Sequence, residues 1–242
     1  MSTPVLYCIE ISPWSEKARW ALDFHKRSYK KIEYMTLFMV PMVKLKTLTK
    51  RKFTDKITVP LLIDGKEVYT DSFDIALYAE KKANSEQLFP QADYDRIKKL
   101  DAISERLLNI FRAEVFKRTK TNHQAKLEKL VFVPEKQREL MVKMVDPMIR
   151  FLERKYPVNE SESAFSLLEE VRAALGGRPY VLNEFSYADI TLAQPLQFVS
   201  PVANQYIPLG DQQRKTMEDV ELAKEFKDLI DWRDQLYEKH RN

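Results

Sequence analysis

The stretch that most restricts this chain is VLYCIEISPWSEKARWALDFHKR, from Val5 to Arg27, where a strand pattern runs straight into a helix pattern. Val5 to Ile11 is β-rich and almost wholly apolar, broken only by Glu10. Such a run fits a central strand with both faces covered. Ser12-Pro13 then ends the strand and opens a helix. Serine is a preferred N-cap, and proline at the first helical position lacks an N–H that had no partner anyway. Trp14, Ala18, Ala21, Leu22 and His25 recur at helical spacing and define one buried face. The Ser12 hydroxyl is therefore expected beside a helix N-terminus, a place suited to an anion. On local physics alone, capping is the commoner role for such a serine.

The rest of the chain builds on this unit. Tyr29 to Leu37 is expected as a second strand, and a strand–helix–strand connection of this length implies parallel pairing with a right-handed crossover. The patch from Phe38 to Val43 is either core filler or one wall of an apolar pocket. The basic run from Lys44 to Lys56 is either solvated surface or a source of a cation for an acidic ligand. Thr58 to Thr70 is a hairpin turned by Asp64-Gly65. Val59-Pro60 opens its first strand, where a missing ladder donor is tolerated. Asp71-Ser72 caps a helix over 73–82, a second N-terminus that favours anions.

Residues 83–93 are polar with a proline and read as a linker between a domain over 1–82 and an all-helical domain over 94–242. Helices are expected over 94–119, over 134–155 with a kink or division at Pro147, and over 164–175 with a Gly176-Gly177 stop. Residues 120–130 are loop or solvated helix. Ser186 with Asp189 resembles a capping box, flanked by a Phe185–Ile190 staple. A final amphipathic helix runs from Val220 to His240. The fold class is α+β in two domains.

Composition removes several functions. Only four glycines are present, and neither a GxGxxG nor a Walker pattern occurs. The net charge of +4, from 40 basic and 36 acidic residues, makes no case for nucleic acid. The single cysteine, Cys8, cannot form an internal disulfide and reads as buried packing. The three histidines are scattered and give no metal spacing. No run of eighteen apolar residues and no signal pattern appear, so a soluble, cytoplasmic protein off the membrane is expected.

The order strand, helix, strand, Val-Pro-opened hairpin, helix and all-helical domain resembles the cytosolic glutathione transferase superfamily over nearly the whole chain. Four motifs carry the likeness. SPWSEKARWAL at 12–22 resembles the active-site segment of the serine- and cysteine-type classes, and its leading serine resembles the plant tau-type pattern. VPLLIDG at 59–65 resembles the strand whose proline is cis in that family. Asp71-Ser72 resembles the acidic-Ser pair that holds the γ-glutamyl end of glutathione. FSYADITL at 185–192 resembles the family's capping box and staple. The resemblance implies a thioredoxin-like βαβ-ββα domain followed by a helical domain.

It also implies roles for residues. Ser12 would donate to the glutathione thiolate, with Ser15 as a substitute. Val59 and Pro60 would present backbone to the cysteinyl part. Asp71 would accept from the γ-glutamyl ammonium, and Ser72 would bind its carboxylate. Lys44 or Lys46 would meet the glycyl carboxylate. Trp14, Met39, Leu107, Phe111 and Phe116 would line a second-substrate pocket, with Lys17 and Arg19 as added positive field or solvated surface charge. Glutathione would be a co-substrate with no metal, the protein a homodimer, and the role detoxification by conjugation to a small apolar electrophile, or a related glutathione-dependent isomerisation or dehalogenation. The alternative is a non-catalytic binding or scaffolding protein on the same fold.

Overall fold

Val5–Cys8 forms strand β1 in a four-stranded sheet of order β2-β1-β3-β4. It pairs parallel with β2 (Lys30–Glu33) and antiparallel with β3 (Leu61–Asp64), and β3 pairs antiparallel with β4 (Glu67–Tyr69). The computed structural model describes residues 3–34, 36–47, 57–83, 87–130, 133–158 and 161–241. Alternation along β1 explains its unbroken apolar run. Leu6 and Cys8 pack on Ala18 and Leu22 of α1 (Pro13–Phe24) and on Ile75, Tyr78 and Ala79 of α3 (Ser72–Lys81). Tyr7 turns to the other face, against Tyr34, Leu61, and Met39 and Val43 of α2 (Thr36–Thr47).

Two expectations here are corrected. The first strand stops at Cys8, not Ile11, because side chains take its next backbone donors. The Ile9 N–H donates to Ser15 Oγ (3.1 Å), and the Glu10 N–H donates to the Glu33 carboxylate (3.1 Å). The second strand stops at Glu33, and a helix begins at Thr36 where strand was expected to reach Leu37. That helix contains Pro41, which hides it from a reading based on helix breakers. The four-residue spacing of Met39, Val43 and Thr47, all buried, was the signal for it. Met39 is core filler at 9 % exposure. Residues 48–56 of the basic run and 84–86 of the expected linker lie outside the described residues.

The helical region comprises α4 (Tyr94–Thr121), α5 (His123–Glu128), α6 (Glu135–Met141), α7 (Val145–Lys155), α8 (Ala164–Leu175), α9 (Tyr187–Ala193), α10 (Asp211–Met217), α11 (Val220–Glu225) and α12 (Lys227–His240). Residues 120–130 are thus mostly helical. The expected division near Pro147 is a 3-10 turn at Val142–Met144, which leaves Pro147 in the first turn of α7. Gly176 caps α8 in the left-handed conformation, φ 58°. The capping box is present. Asp189 Oδ2 accepts from the Ser186 N–H (2.8 Å) and hydroxyl (3.1 Å), and Oδ1 takes the Val181 N–H (2.8 Å). The expected last helix is instead two, broken at Phe226, whose fully buried ring packs on Phe165 and under the Arg172 guanidinium.

One core joins the two regions. Trp20 and Ala21 leave the sheet side of α1 and pack among residues of α4, α8, α9 and α12. Trp20 is fully buried, meets Tyr237 in a tilted ring contact at 4.5 Å and donates Nε1–H to the His240 carbonyl (3.1 Å). Helix α1 therefore has two buried sides, and its N-terminus is held by both layers. Among the described residues no helix is long and apolar enough to cross a membrane.

Candidate functional site

Strand register brings the expected residues to one end of the sheet. Tyr7 pairs with Leu61 and Leu62 with Tyr69. The loop from Cys8 to Ser12, the Val59-Pro60 pair and Asp71 therefore all follow or precede strand ends on the same side. Helices α1 and α3 both start there, so two N-termini point their free N–H groups to one edge.

Ser12 caps α1 in an extended conformation (φ −84°, ψ 123°) and is half-buried. Among the described residues its Oγ meets only the Ser15 N–H, at 3.5 Å. That is the outer limit for a hydrogen bond, so the hydroxyl is weakly committed. Ser15 is not a substitute for it: its side chain is fully buried and holds the Ile9 N–H. The Val59-Pro60 peptide is cis, as the resemblance implied. Asp71 caps α3 by accepting from the Phe73 N–H (2.8 Å), and Ser72 is buried at the first helical position.

Charge around Asp71 is uneven. Desolvation raises its carboxyl above the usual range, the Phe73 N–H opposes this, and Glu105 and Asp101 raise it further. Lys17, fully buried, donates to Glu105 (2.8 Å) and Asp101 (3.1 Å). Burial would lower its pKa, but the two carboxylates outweigh burial and raise it. Two carboxylates thus share one buried ammonium, and Asp71 stands in the negative field of both. Asp101 also accepts from the Thr191 hydroxyl, and Glu105 accepts the Trp14 indole N–H (2.7 Å). Lys17 and Arg19 are not solvated charges. Arg19 is 3 % exposed and pairs with Glu10 and Glu16.

Lys46 stands in the last turn of α2 and donates to the Tyr7 hydroxyl at 2.9 Å, a contact the sequence did not suggest. Trp14 is half-buried, with the Arg112 guanidinium 4.9 Å from its ring. Phe111, expected beside it in a pocket, is 4 % exposed and belongs to the main core, as does Leu107. Its neighbours Arg112 and Phe116 line a cavity of about 130 Å³ instead. A larger cavity of about 510 Å³, walled by Glu10, Arg19, Asp23 and Arg241, includes none of the residues expected to touch glutathione or the second substrate.

Cys8 is fully buried, and burial pushes its thiol up to about 11, with Arg19 opposing. At pH 8 it then carries roughly 200-fold less thiolate than a free cysteine with pKa ~8.5. Alkylation of the folded protein by iodoacetamide at pH 8 is expected to run at least ~100-fold slower than in denaturant. Equal rates would show that Cys8 is open. Among the described residues no cluster of His, Cys, Asp and Glu is placed to hold a metal ion.

Residues 6–87 match the family model described as glutathione S-transferase, N-terminal domain. No curated protein matches the chain in sequence. Among solved structures, the chain is similar to glutathione S-transferase I from maize in complex with an atrazine glutathione conjugate, at 13% identity and TM-score 0.60 over 98% of this chain and 93% of that one. It is similar to a glutathione S-transferase from Methylobacterium radiotolerans in complex with glutathione sulfonate, at 14% identity and TM-score 0.59 over 98% and 92%. A third is a possible glutathione S-transferase from Rhodopseudomonas palustris, at 15% identity and TM-score 0.56 over 97% and 94%. The chain has the two-domain glutathione transferase fold, and its sheet-bearing part matches that family's N-terminal domain.

Proposed function

We propose that this protein binds glutathione at the shared end of β1, β3 and β4 and conjugates its thiolate to a small, largely apolar electrophile. What supports this reading most is the pairing of a weakly engaged N-cap hydroxyl at Ser12 with a second helix N-terminus at Asp71-Ser72. The match of residues 6–87 to a glutathione S-transferase N-terminal domain supports glutathione as its ligand. The sheet-bearing domain in this reading is residues 1–82, the helical domain 94–242, and the active form a cytoplasmic homodimer.

A free thiol with pKa ~8.5 is mostly protonated at neutral pH, and the thiolate is the nucleophile. Lowering that pKa by about two units requires about 2.7 kcal/mol of preference for the anion. A hydroxyl hydrogen bond to charged sulfur contributes roughly 1.5–3 kcal/mol, and a helix N-terminus roughly 0.3–1 kcal/mol. Together they suffice. Ser12 donates to the sulfur and does not itself attack. Asp71, in the negative field of Asp101 and Glu105, accepts the γ-glutamyl ammonium. Ser72 and the α3 N-terminus take the neighbouring carboxylate. The Val59 backbone, just before β3 at the shared end, pairs with the cysteinyl unit as an added strand would. An ammonium has three donors, so Lys46 keeps two beyond Tyr7 for the glycyl carboxylate.

Calorimetric titration with glutathione at pH 7, in two buffers of different ionisation heat, tests this reading. Binding with release of close to one proton is expected. No heat at millimolar ligand would overturn the reading and leave the fold in use as a binding module.

A further inference from the structure

The cavity of about 130 Å³ beside α4 and α7 has walls of uneven chemistry. Phe116 and the Tyr156 ring make it apolar, while Arg112 and Glu153 bring charge to its edge. The Glu153 carboxylate is met by Lys120 through both oxygens, at 2.6 and 2.7 Å. The Arg112 guanidinium lies 4.2 Å from the Tyr156 ring and 4.9 Å from that of Trp14, stacked between two aromatic faces. Its polar contact is the Asn109 side-chain oxygen (2.6 Å), and no carboxylate pairs with it among the described residues. Lys17, Arg19 and Arg241, three cations near α1, are each paired with carboxylates.

Near the Tyr156 ring, though not in the cavity wall, stand a second cation and a spare donor. Lys155 lies 4.9 Å from the Tyr156 ring, and its ammonium meets the Ile57 carbonyl (2.6 Å), not an acid. The Tyr34 hydroxyl, on a ring 5 % exposed, has no hydrogen-bond partner among the described residues. Burial lowers the Arg112 pKa, with Tyr156 and Glu105 opposing. A half-buried cation in this state gains from an anion brought to it.

We propose that this cavity receives the electrophile and that Arg112 selects one carrying a carboxylate, a compact aromatic or unsaturated acid. The proposal rests on the reading of Ser12 as donor to the thiolate, since Trp14 links Arg112 to the first turn of α1. The cavity of about 130 Å³ is no larger than the roughly 150 Å³ that admits benzene, so it holds at most a single ring. Stacked between Trp14 and Tyr156, Arg112 presents its fork to a carboxylate on that ring. With a chlorinated nitrobenzoate, a C–S bond forms as the C–Cl bond breaks, chloride leaves with the electron pair, and the thiol proton passes to solvent. Nothing is oxidised or reduced.

The test needs no turnover. Binding of 3,5-dinitrobenzoate and of its neutral counterpart 1,3-dinitrobenzene is measured by calorimetry on the full chain. The benzoate is expected to bind at least about tenfold tighter, the share of one charged hydrogen bond. In Arg112→Met that preference is lost while the neutral compound binds as before, and Arg112→Lys keeps part of it. A wild-type preference below about twofold, or one unchanged in either variant, overturns the proposal. The wild-type comparison decides it even where a variant does not fold. Loss of glutathione binding would instead remove the conjugation reading and leave the carboxylate preference measurable.

Discussion

Replacing Ser12 by alanine is expected to leave glutathione bound and to slow its conjugation about 10- to 150-fold, the rate equivalent of the roughly 1.5–3 kcal/mol that a hydrogen bond to a charged sulfur supplies. The loss falls on the thiolate, so the apparent pKa of the bound thiol rises towards its free value, and the pH–rate profile moves to higher pH by one to two units, about the same energy. Stability changes little. A good serine cap contributes about 1 kcal/mol, but this one is stretched to 3.5 Å. Affinity by calorimetry, turnover with a chloronitrobenzene, and thiolate absorbance against pH separate the three effects. Turnover and pH profile both unchanged would remove Ser12 from the mechanism.

Lys17→Met is expected to be the most destabilising single change near the site. Replacing a whole buried ion cluster with apolar groups can be neutral, but removing one partner strands the others at about 3–5 kcal/mol. Here Asp101 and Glu105 keep 14% and 35% of their side-chain surface, so solvent relieves part of the stranded charge. A loss near the low end, about 3 kcal/mol, corresponds to a melting temperature lower by roughly 6–12 °C for a chain of this size. Because Glu105 also holds the Trp14 indole and Asp101 the Thr191 hydroxyl, the change reaches both α1 and α9. Thermal unfolding followed by circular dichroism is the measurement. A shift under about 2 °C would place the cluster with surface pairs of little net value. Adding Glu105→Gln to Lys17→Met should recover part of the loss by removing one of the stranded charges.

What could be read from the sequence follows the range of the interaction that enforces it. The Ser12-Pro13 junction, the Asp64-Gly65 turn, the Gly176 stop and the Ser186–Asp189 box stand in the structure where the residues put them. Each depends on one residue's backbone freedom or on a side chain reaching three positions along. The Asp71-Ser72 cap is of the same kind. The cis state of Val59-Pro60 is not local in this sense, and it came from resemblance alone.

The rest required the folded chain. Helix α2 was hidden by Pro41, since the pull of Met39 and Val43 into the Tyr7 face outweighs one lost backbone bond. The end of β1 depends on Ser15 reaching back to the Ile9 N–H, a bond that exists only once α1 has folded against the strand. Residues Arg112 and Phe111 are adjacent in sequence, and only the docking of α4 decides which one meets the core and which one meets Trp14. Lys17 reads as a surface charge until Asp101 and Glu105, more than eighty residues later, close over it. The sequence alone thus determined the caps, turns and stops, because backbone chemistry acts over a few residues. Tertiary structure alone decided which charges are buried and which side chain faces the cleft, because burial depends on partners that arrive from distant parts of the chain.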